Sequence, residues 1–265
     1  MSFFELIGLS FVQGLTEFLP VSSSGHLILF SKFFALKDEG IGIDIALHIG
    51  SLFAVIIYFK SDIFQMVRDV FKSKFLPDFK VFFNKQAYLL LIASVPALIV
   101  GFWLRNFGTD FLRNPKIIGT TILFYGIVLY VADKFSKAEK TLKEMGIKEA
   151  FLIGLAQCLA LVPGTSRSGI TITAARFLKI NRVDAAKFSM LLSLPVIFAA
   201  GALEFYRLIV ASQKMALIFS LESIVLSFVF SYFAICFMMR LLKKWTYLPF
   251  VVYRVILGLI LIFLF

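Results

Sequence analysis

The chain reads as long apolar runs separated by short charged stretches. Six runs are apolar and long enough to cross a bilayer: Ile41–Phe59, Ala87–Leu104, Ile117–Val131, Phe188–Tyr206, Ala216–Met239 and Pro249–Phe265. A crossing helix takes about 17–25 residues, so the third run needs its flanks. Two further apolar segments are interrupted. Phe3–Phe34 breaks at P-V-S-S-S-G (Pro20–Gly25), and Glu149–Leu178 breaks at P-G-T-S-R-S-G (Pro163–Gly169). Each is either a re-entrant hairpin or a broken helix that crosses. Phe64–Phe83 is amphipathic, rich in Phe and Lys, and reads as a segment lying on the inner membrane surface.

Composition sharpens the class. Of the 265 residues, 60% are hydrophobic and only 16% charged, where a soluble domain carries about 25% charged residues. An ordinary soluble domain, a disordered chain and a disulfide-stapled one are therefore excluded, and one integral membrane domain is expected. The net charge of +11 would suggest nucleic acid in a soluble protein. Here the positives cluster between apolar runs, as cytoplasmic loops carry them, so no nucleic-acid partner is expected. Cys158 and Cys236 sit inside apolar runs and read as packing residues. The amino terminus lacks the basic start of a cleavable signal peptide. No zinc-ligand spacing, P-loop or dinucleotide fingerprint occurs.

The same charges orient the chain. If both interrupted segments re-enter, one side holds 18 Lys and Arg and the other 7. If both cross, the split is 13 to 12 and the bias vanishes. The positive-inside rule thus favours re-entry of the second segment. It says nothing of the first, which no positive charge precedes. An internal repeat covers that gap. A shift of 144 residues places Glu5 on Glu149, Gln13 on Gln157, Leu15 on Leu159, Ser22 on Ser166, Ser24 on Ser168 and Gly25 on Gly169. Similar segments fold similarly, so both re-enter.

The predicted fold is therefore all-α: six transmembrane helices plus two re-entrant helical hairpins in an inverted-topology repeat. Residues 1–132 form the first repeat, 133–148 a charged cytoplasmic linker and 149–265 the second repeat. Both termini face outward.

Non-helical backbone at membrane depth is tolerated only where it is buried in protein or lines a wet cavity. The two hairpins bring their polar loops together near the midplane. One offers Gln13, Thr16, Glu17, Ser22, Ser23, Ser24 and His26; the other offers Thr165, Ser166, Arg167, Ser168 and Thr171. A charge held there costs at least about 2.5–3.5 kcal/mol, so Glu17 and Arg167 need a reason to be present. A phosphate ester or anhydride supplies one. Arg167 offers a planar fork for phosphate oxygens, and Ser, Thr and Gly turns at helix starts offer free N–H groups to an anion. His26 exchanges a proton near neutral pH. Ser23 or a neighbour is a nucleophile if His26 lies within reach. Glu17 either holds a divalent cation or orients His26.

Other polar residues read less sharply. Serine-rich breaks also serve plain helix packing. Asp44 and His48, one turn apart on one helix face, either support the site or cap and pack. Glu204, Arg207 and Glu222 read as snorkelling anchors near span ends, and Arg254, one turn inside the last run, as structural.

At the two loops the sequence resembles a known family. Q-G-L-T-E-F-L-P-V-S-S-S-G-H (Gln13–His26) and P-G-T-S-R-S-G-I-T (Pro163–Thr171) are similar to the two signature motifs of undecaprenyl-diphosphate phosphatases, the bacitracin-resistance protein family. The similarity extends to A-L-H-I-G-S (Ala46–Ser51) and P-F-V-V-Y-R-V-I-L-G (Pro249–Gly258).

The resemblance implies a bacterial inner-membrane enzyme whose site opens to the outer face. It would hydrolyse undecaprenyl diphosphate to the monophosphate and inorganic phosphate, recycling the lipid carrier for peptidoglycan synthesis. It also implies a divalent cation, Mg2+ or Ca2+. By motif position Glu17, Ser23, His26 and Arg167 inherit catalytic roles. Ser22, Ser166 and Thr171 inherit supporting ones, and Ser24, Thr165 and Ser168 join them around the phosphates. Many members carry glutamate where this chain has Gln13, which leaves Glu17 as the one charged metal ligand, helped by the substrate's phosphates. The alternative function is a flippase for polyprenyl phosphate, since an inverted repeat with two midplane loops is also a transporter plan. A flippase needs Arg167 but has no use for a proton shuttle at His26.

Overall fold

The computed structural model describes residues 3–34, 41–104, 112, 114–137, 140–210 and 217–265, apart from the side chains of residues 32–33, 41–42, 44, 200, 203–210 and 217–220. Asp44, Glu204 and Arg207 therefore lie outside the described side chains.

Among the described residues the protein is helical, with no strand beyond an isolated bridge between Lys140 and Ile180. The helices are α1 (Phe3–Thr16), α2 (Ser23–Phe33), α3 (Ile41–Tyr58), α4 (Lys60–Lys72), α5 (Phe82–Leu104) and α6 (Pro115–Phe135). They continue with α7 (Ile147–Gln157), α8 (Arg167–Phe177), α9 (Arg182–Val210), α10 (Leu217–Leu241) and α11 (Leu248–Leu264). Three stretches are single helices long and apolar enough to cross a membrane: α5, α6 and residues Leu221–Leu241 of α10. A fourth arises if α3 and α4, bent by 82° at Phe59, count as one span. Helices α1 and α11 are apolar but shorter. This is a helical membrane protein.

Both interrupted segments break where the sequence marks them. Helix α1 stops at Thr16 and α2 starts at Ser23, with Pro20 between. Proline lacks the N–H that a continuing helix needs and disfavours helix at the residue before it. In the second segment a short 3-10 turn, Cys158–Leu161, follows α7, and Pro163 and Gly164 then break the chain before α8. Gly164 has φ +90°, which a side chain rarely tolerates.

The two breaks share a detail that composition alone would not foretell. Ser22 and Ser166, the pair related by 144 residues, both adopt left-handed backbone, at φ 80° and 72°. Each turns its Oγ onto the amide of the glycine three residues on, at 3.4 Å for Gly25 and 3.0 Å for Gly169. That bond satisfies an orphan N–H of the helix start. Each Oγ also lies near the hydroxyl two residues on, Ser24 at 3.4 Å and Ser168 at 3.2 Å. A left-handed non-glycine residue costs about 1–3 kcal/mol, so the surrounding contacts must fix both turns.

Packing brings the breaks together. Helix α1 packs on α2 and α10, α7 packs on α8 and α5, α3 packs on α9 and α10, α5 packs on α9, and α6 packs on α11. Small residues allow the close approaches that drive helix association in lipid. A Cβ on Gly50 of α3 would fall 2.3 Å from the Ile224 carbonyl of α10, and one on Gly154 of α7 would fall 2.4 Å from the Ala93 carbonyl of α5. Large side chains such as Phe102, Phe124, Phe198, Phe233 and Phe263 point outward, as expected of a surface facing lipid.

The end of the bundle away from the breaks is tied by charge. Asp133 of α6 accepts bonds from Arg176 Nε (3.0 Å) and Arg182 Nε (2.8 Å), and its other oxygen accepts from the Tyr247 amide (3.2 Å). One carboxylate thus joins α6, α8, α9 and the start of α11. Lys187 Nζ reaches Asp62 at 2.6 Å and fixes the elbow between α3 and α4. The stretch before α7 is held against the loop after α8: the Lys140 amide donates to the Lys179 carbonyl and the Asn181 amide to the Lys140 carbonyl, each at 3.0 Å.

Candidate active site

Glu17 is the first residue beyond α1, and its side chain is 6% exposed. A carboxylate this deep persists only if donors surround it. Three do. Gln13, one turn back on α1, donates from Nε2 to Oε2 at 3.0 Å. Ser23, at the start of α2, donates its hydroxyl to the same oxygen at 2.7 Å. Arg167, at the start of α8, donates from Nη2 to Oε1 at 2.9 Å. His48 of α3 stands 3.9 Å from Oε2. The pair Glu17–Arg167 therefore joins the two breaks across 150 residues of sequence.

Arg167 is held from the other side by the Ser189 carbonyl of α9, which accepts from Nη1 at 3.1 Å. A guanidinium has five N–H donors. Two are engaged here, so three stay available to an anion without loss of the Glu17 contact.

Three of the remaining predicted residues hold the loops together. Ser166 caps α8, Ser168 donates to the Leu19 carbonyl of the first loop at 2.9 Å, and Thr171 bonds the Arg167 carbonyl and the Ser189 hydroxyl at 2.9 and 2.7 Å. These hydroxyls build the loops. Ser24 is exposed, while Thr165 Oγ1 is buried with no partner.

His26 does not face Ser23. Its Nδ1 lies 2.6 Å from the Ser22 carbonyl, which can only accept, so Nδ1 carries the hydrogen. Its Nε2 lies 2.6 Å from the Tyr253 hydroxyl on α11. The Ser23 hydroxyl is thus paired with Glu17 rather than with the imidazole.

Sequence reasoning missed two residues of this region. Tyr253 drew no attention, and Ser189 reads as one more small residue in an apolar helix. Arg254 reads as structural, and the structure gives that reading its content. The side chain is fully buried and donates to Ile122 O (3.0 Å), Pro20 O (3.2 Å), Gly164 O (3.2 Å) and Thr165 O (3.0 Å). It stitches both loops to α6. The one available signal was the stretch Pro249–Gly258, which carries Tyr253 and Arg254 side by side.

The family model for "Bacitracin resistance protein BacA" matches residues 6–260. The chain belongs to the BacA family. An undecaprenyl-diphosphatase of Roseobacter denitrificans is 46% identical over 265 residues, covering 99% of this chain and 98% of the relative. One of Alcanivorax borkumensis is 43% identical over 269 residues, covering 99% of both. With the family match spanning both breaks and most of α11, the cluster around Glu17 sits inside the family's common region.

A cation can be tested against the donors present. No group of three or more His, Cys, Asp or Glu occurs among the described residues, so these residues form no all-protein cage. The oxygens available beside Glu17 are Ser23 Oγ and Gln13 Oε1, both hard ligands, and Gln13 Oε1 is buried without a partner. Magnesium binds through one or two carboxylates and completes its shell with waters and substrate phosphates. The residues fit an ion of that kind.

Proposed function

We infer that the chain hydrolyses undecaprenyl diphosphate to undecaprenyl phosphate and inorganic phosphate, so recycling the lipid carrier of peptidoglycan synthesis and giving resistance to bacitracin. The observation that carries the mechanism is the pairing of Ser23 Oγ with Glu17 Oε2 at 2.7 Å, with Arg167 on the other oxygen at 2.9 Å. A nucleophile, its base and a phosphate clamp meet in one cluster.

Ser23 Oγ attacks the terminal phosphorus and its proton passes to Glu17. The bond from that phosphorus to the bridging oxygen breaks, and undecaprenyl phosphate leaves with the electron pair. Water then attacks the phosphoserine, the bond from phosphorus to Ser23 Oγ breaks, Glu17 returns its proton to Ser23 Oγ, and the water's proton ends on Nε2 of His26. Arg167 spreads the charge that builds on the phosphoryl oxygens. Ser24, Thr165 and the free amides at the starts of α2 and α8 complete the phosphate site. Ser22, Ser166, Ser168 and Thr171 shape it, and His48, with Asp44 one turn away, supports it. Glu17 and Gln13 Oε1 would hold a Mg2+ or Ca2+ ion, which supplies charge neutralisation to the diphosphate.

The same reading sets the two interrupted segments as hairpins entering from opposite faces of the inner membrane, with six crossings around them and the site open to the outer face. Residues 1–132 and 149–265 are then inverted repeats about the linker 133–148. Two facts support this. Exchanging α1, α2, α3, α5 and α6 for α7, α8, α9, α10 and α11 turns α1 on α10 into α7 on α5, and α3 on α10 into α9 on α5, pairs that all pack. The left-handed serines with their glycine bonds recur at the same spacing. That plan also suits a lipid-phosphate flippase, which would use Arg167 but has no need of Ser23 on Glu17.

The test is phosphate release from a polyprenyl diphosphate by the purified protein, with magnesium and with a chelator. Release that stops with the chelator and returns with the ion is expected. Lipid movement across vesicles without phosphate release would replace the enzyme with the flippase.

A further inference from the structure

The hydrogen bond between Tyr253 and His26 has no part in the steps above, yet its surroundings hold it tightly. It joins two helices separated by 227 residues of sequence. On one side, the imidazole is already committed through Nδ1 to the Ser22 carbonyl. That carbonyl belongs to a residue in left-handed backbone, 1% exposed, whose peptide orientation is fixed by the loop. On the other side, Tyr253 precedes Arg254, whose four bonds to loop and α6 carbonyls lock that turn of α11. Both partners are therefore held, and Arg254 ties the Tyr253 turn to the same loop that carries Ser22 through the Pro20 carbonyl. The two rings are nearly parallel, at 12° and 5.6 Å between centroids.

The chemistry of the pair follows from its donors. With hydrogen on Nδ1, Nε2 carries the lone pair and can only accept. The phenol is the donor. The Ser22 carbonyl alone therefore sets the tautomer, and the phenol's hydrogen occupies the one lone pair of the ring. A proton from water can then reach Nε2 only through the phenol, which gives its own hydrogen to Nε2 while its oxygen takes the water's. We propose that Tyr253 is the proton relay of the hydrolysis step, its hydroxyl taking the water's proton and passing its own to Nε2 of His26. The inference rests on the phosphatase reading and adds one residue to it.

Tyr253→Phe keeps the ring and its packing and removes only the hydroxyl. A hydrogen bond of this kind is worth roughly a 3–12-fold change in rate. The full chain in detergent should lose that factor in kcat on a polyprenyl diphosphate, with KM unchanged. In a His26→Ala background, the same substitution should change nothing further, because its effect passes through the imidazole. A readout free of turnover is nitrogen NMR of 15N-histidine protein. The chain has only two histidines, so a His48 variant assigns the signals. Nδ1 of His26 should be protonated in both proteins, while the Nε2 signal should carry the shift of a hydrogen-bonded lone pair in the parent and move to that of a free lone pair in Tyr253→Phe. A parental kcat with a parental spectrum would overturn the proposal, as would an equal loss of kcat in the His26→Ala background. If the unsubstituted protein released no phosphate at all, the phosphatase reading would fail first, and the spectrum alone would still judge the pair.

Discussion

Replacing Arg254 with lysine tests whether the two loops are held by directed bonds or by charge. Arginine spreads three nitrogens over four carbonyls: Nε on Ile122, Nη1 on Pro20, and Nη2 on Gly164 and Thr165. Lysine keeps the charge but gathers its donors at one atom, which cannot reach α6 and both loops together. At least two of the four bonds are then lost. A hydrogen bond to a charged group contributes about 1.5–3 kcal/mol, so the loss is about 3–6 kcal/mol before the loops relax. For a chain of this size each kcal/mol moves the thermal midpoint by about 2–4 °C, so a fall of roughly 10 °C is expected. Because a displacement near 1 Å at a reacting centre costs about 10²-fold, turnover should drop by a similar factor. Thermal unfolding and phosphate release, both in the same detergent with magnesium, measure the two effects. A variant with the parental midpoint and the parental kcat would show that the carbonyl contacts hold nothing, and the reasoning would fail.

Other outcomes follow from the same geometry. Arg167→Lys removes a bidentate donor and should lower kcat/KM by roughly 10–150-fold; parental activity would mean that α8 does not clamp phosphate. Glu17→Gln leaves Ser23 without a base and should cut kcat by about 10²–10⁴-fold, and near-normal turnover in saturating magnesium would show the carboxylate to be dispensable. A cysteine at Lys137, exposed in the linker between the two halves, should resist an impermeant thiol reagent added to whole cells; ready labelling would reverse the orientation.

The two breaks were legible because their causes are local. Proline, glycine and capping serine act within a few residues, and Pro20, Pro163, Ser22 and Ser166 stop and start helices where the pattern places them. The meeting of Glu17 with Arg167 was legible for another reason: two charges in apolar segments need partners. What stayed hidden depends on contacts between distant segments. Tyr253 looks like any aromatic residue of a lipid-facing helix until α11 is set beside α2. Arg254 looks like a packing residue until four carbonyls from three places converge on it. The partner of Ser23 was also hidden, since spacing alone suits His26 as well as Glu17.

The spacing that relates Ser22 to Ser166 also relates Ser23 to Arg167. Equivalent positions of the two loops thus hold a hydroxyl and a guanidinium, and both reach for the same carboxylate. The position equivalent to Glu17 is Leu161, and that of His26 is Ile170. Two identical subunits could not build this arrangement, because each loop would have to present serine and arginine at one place. Because both loops belong to one chain, the same place holds a serine in one loop and an arginine in the other.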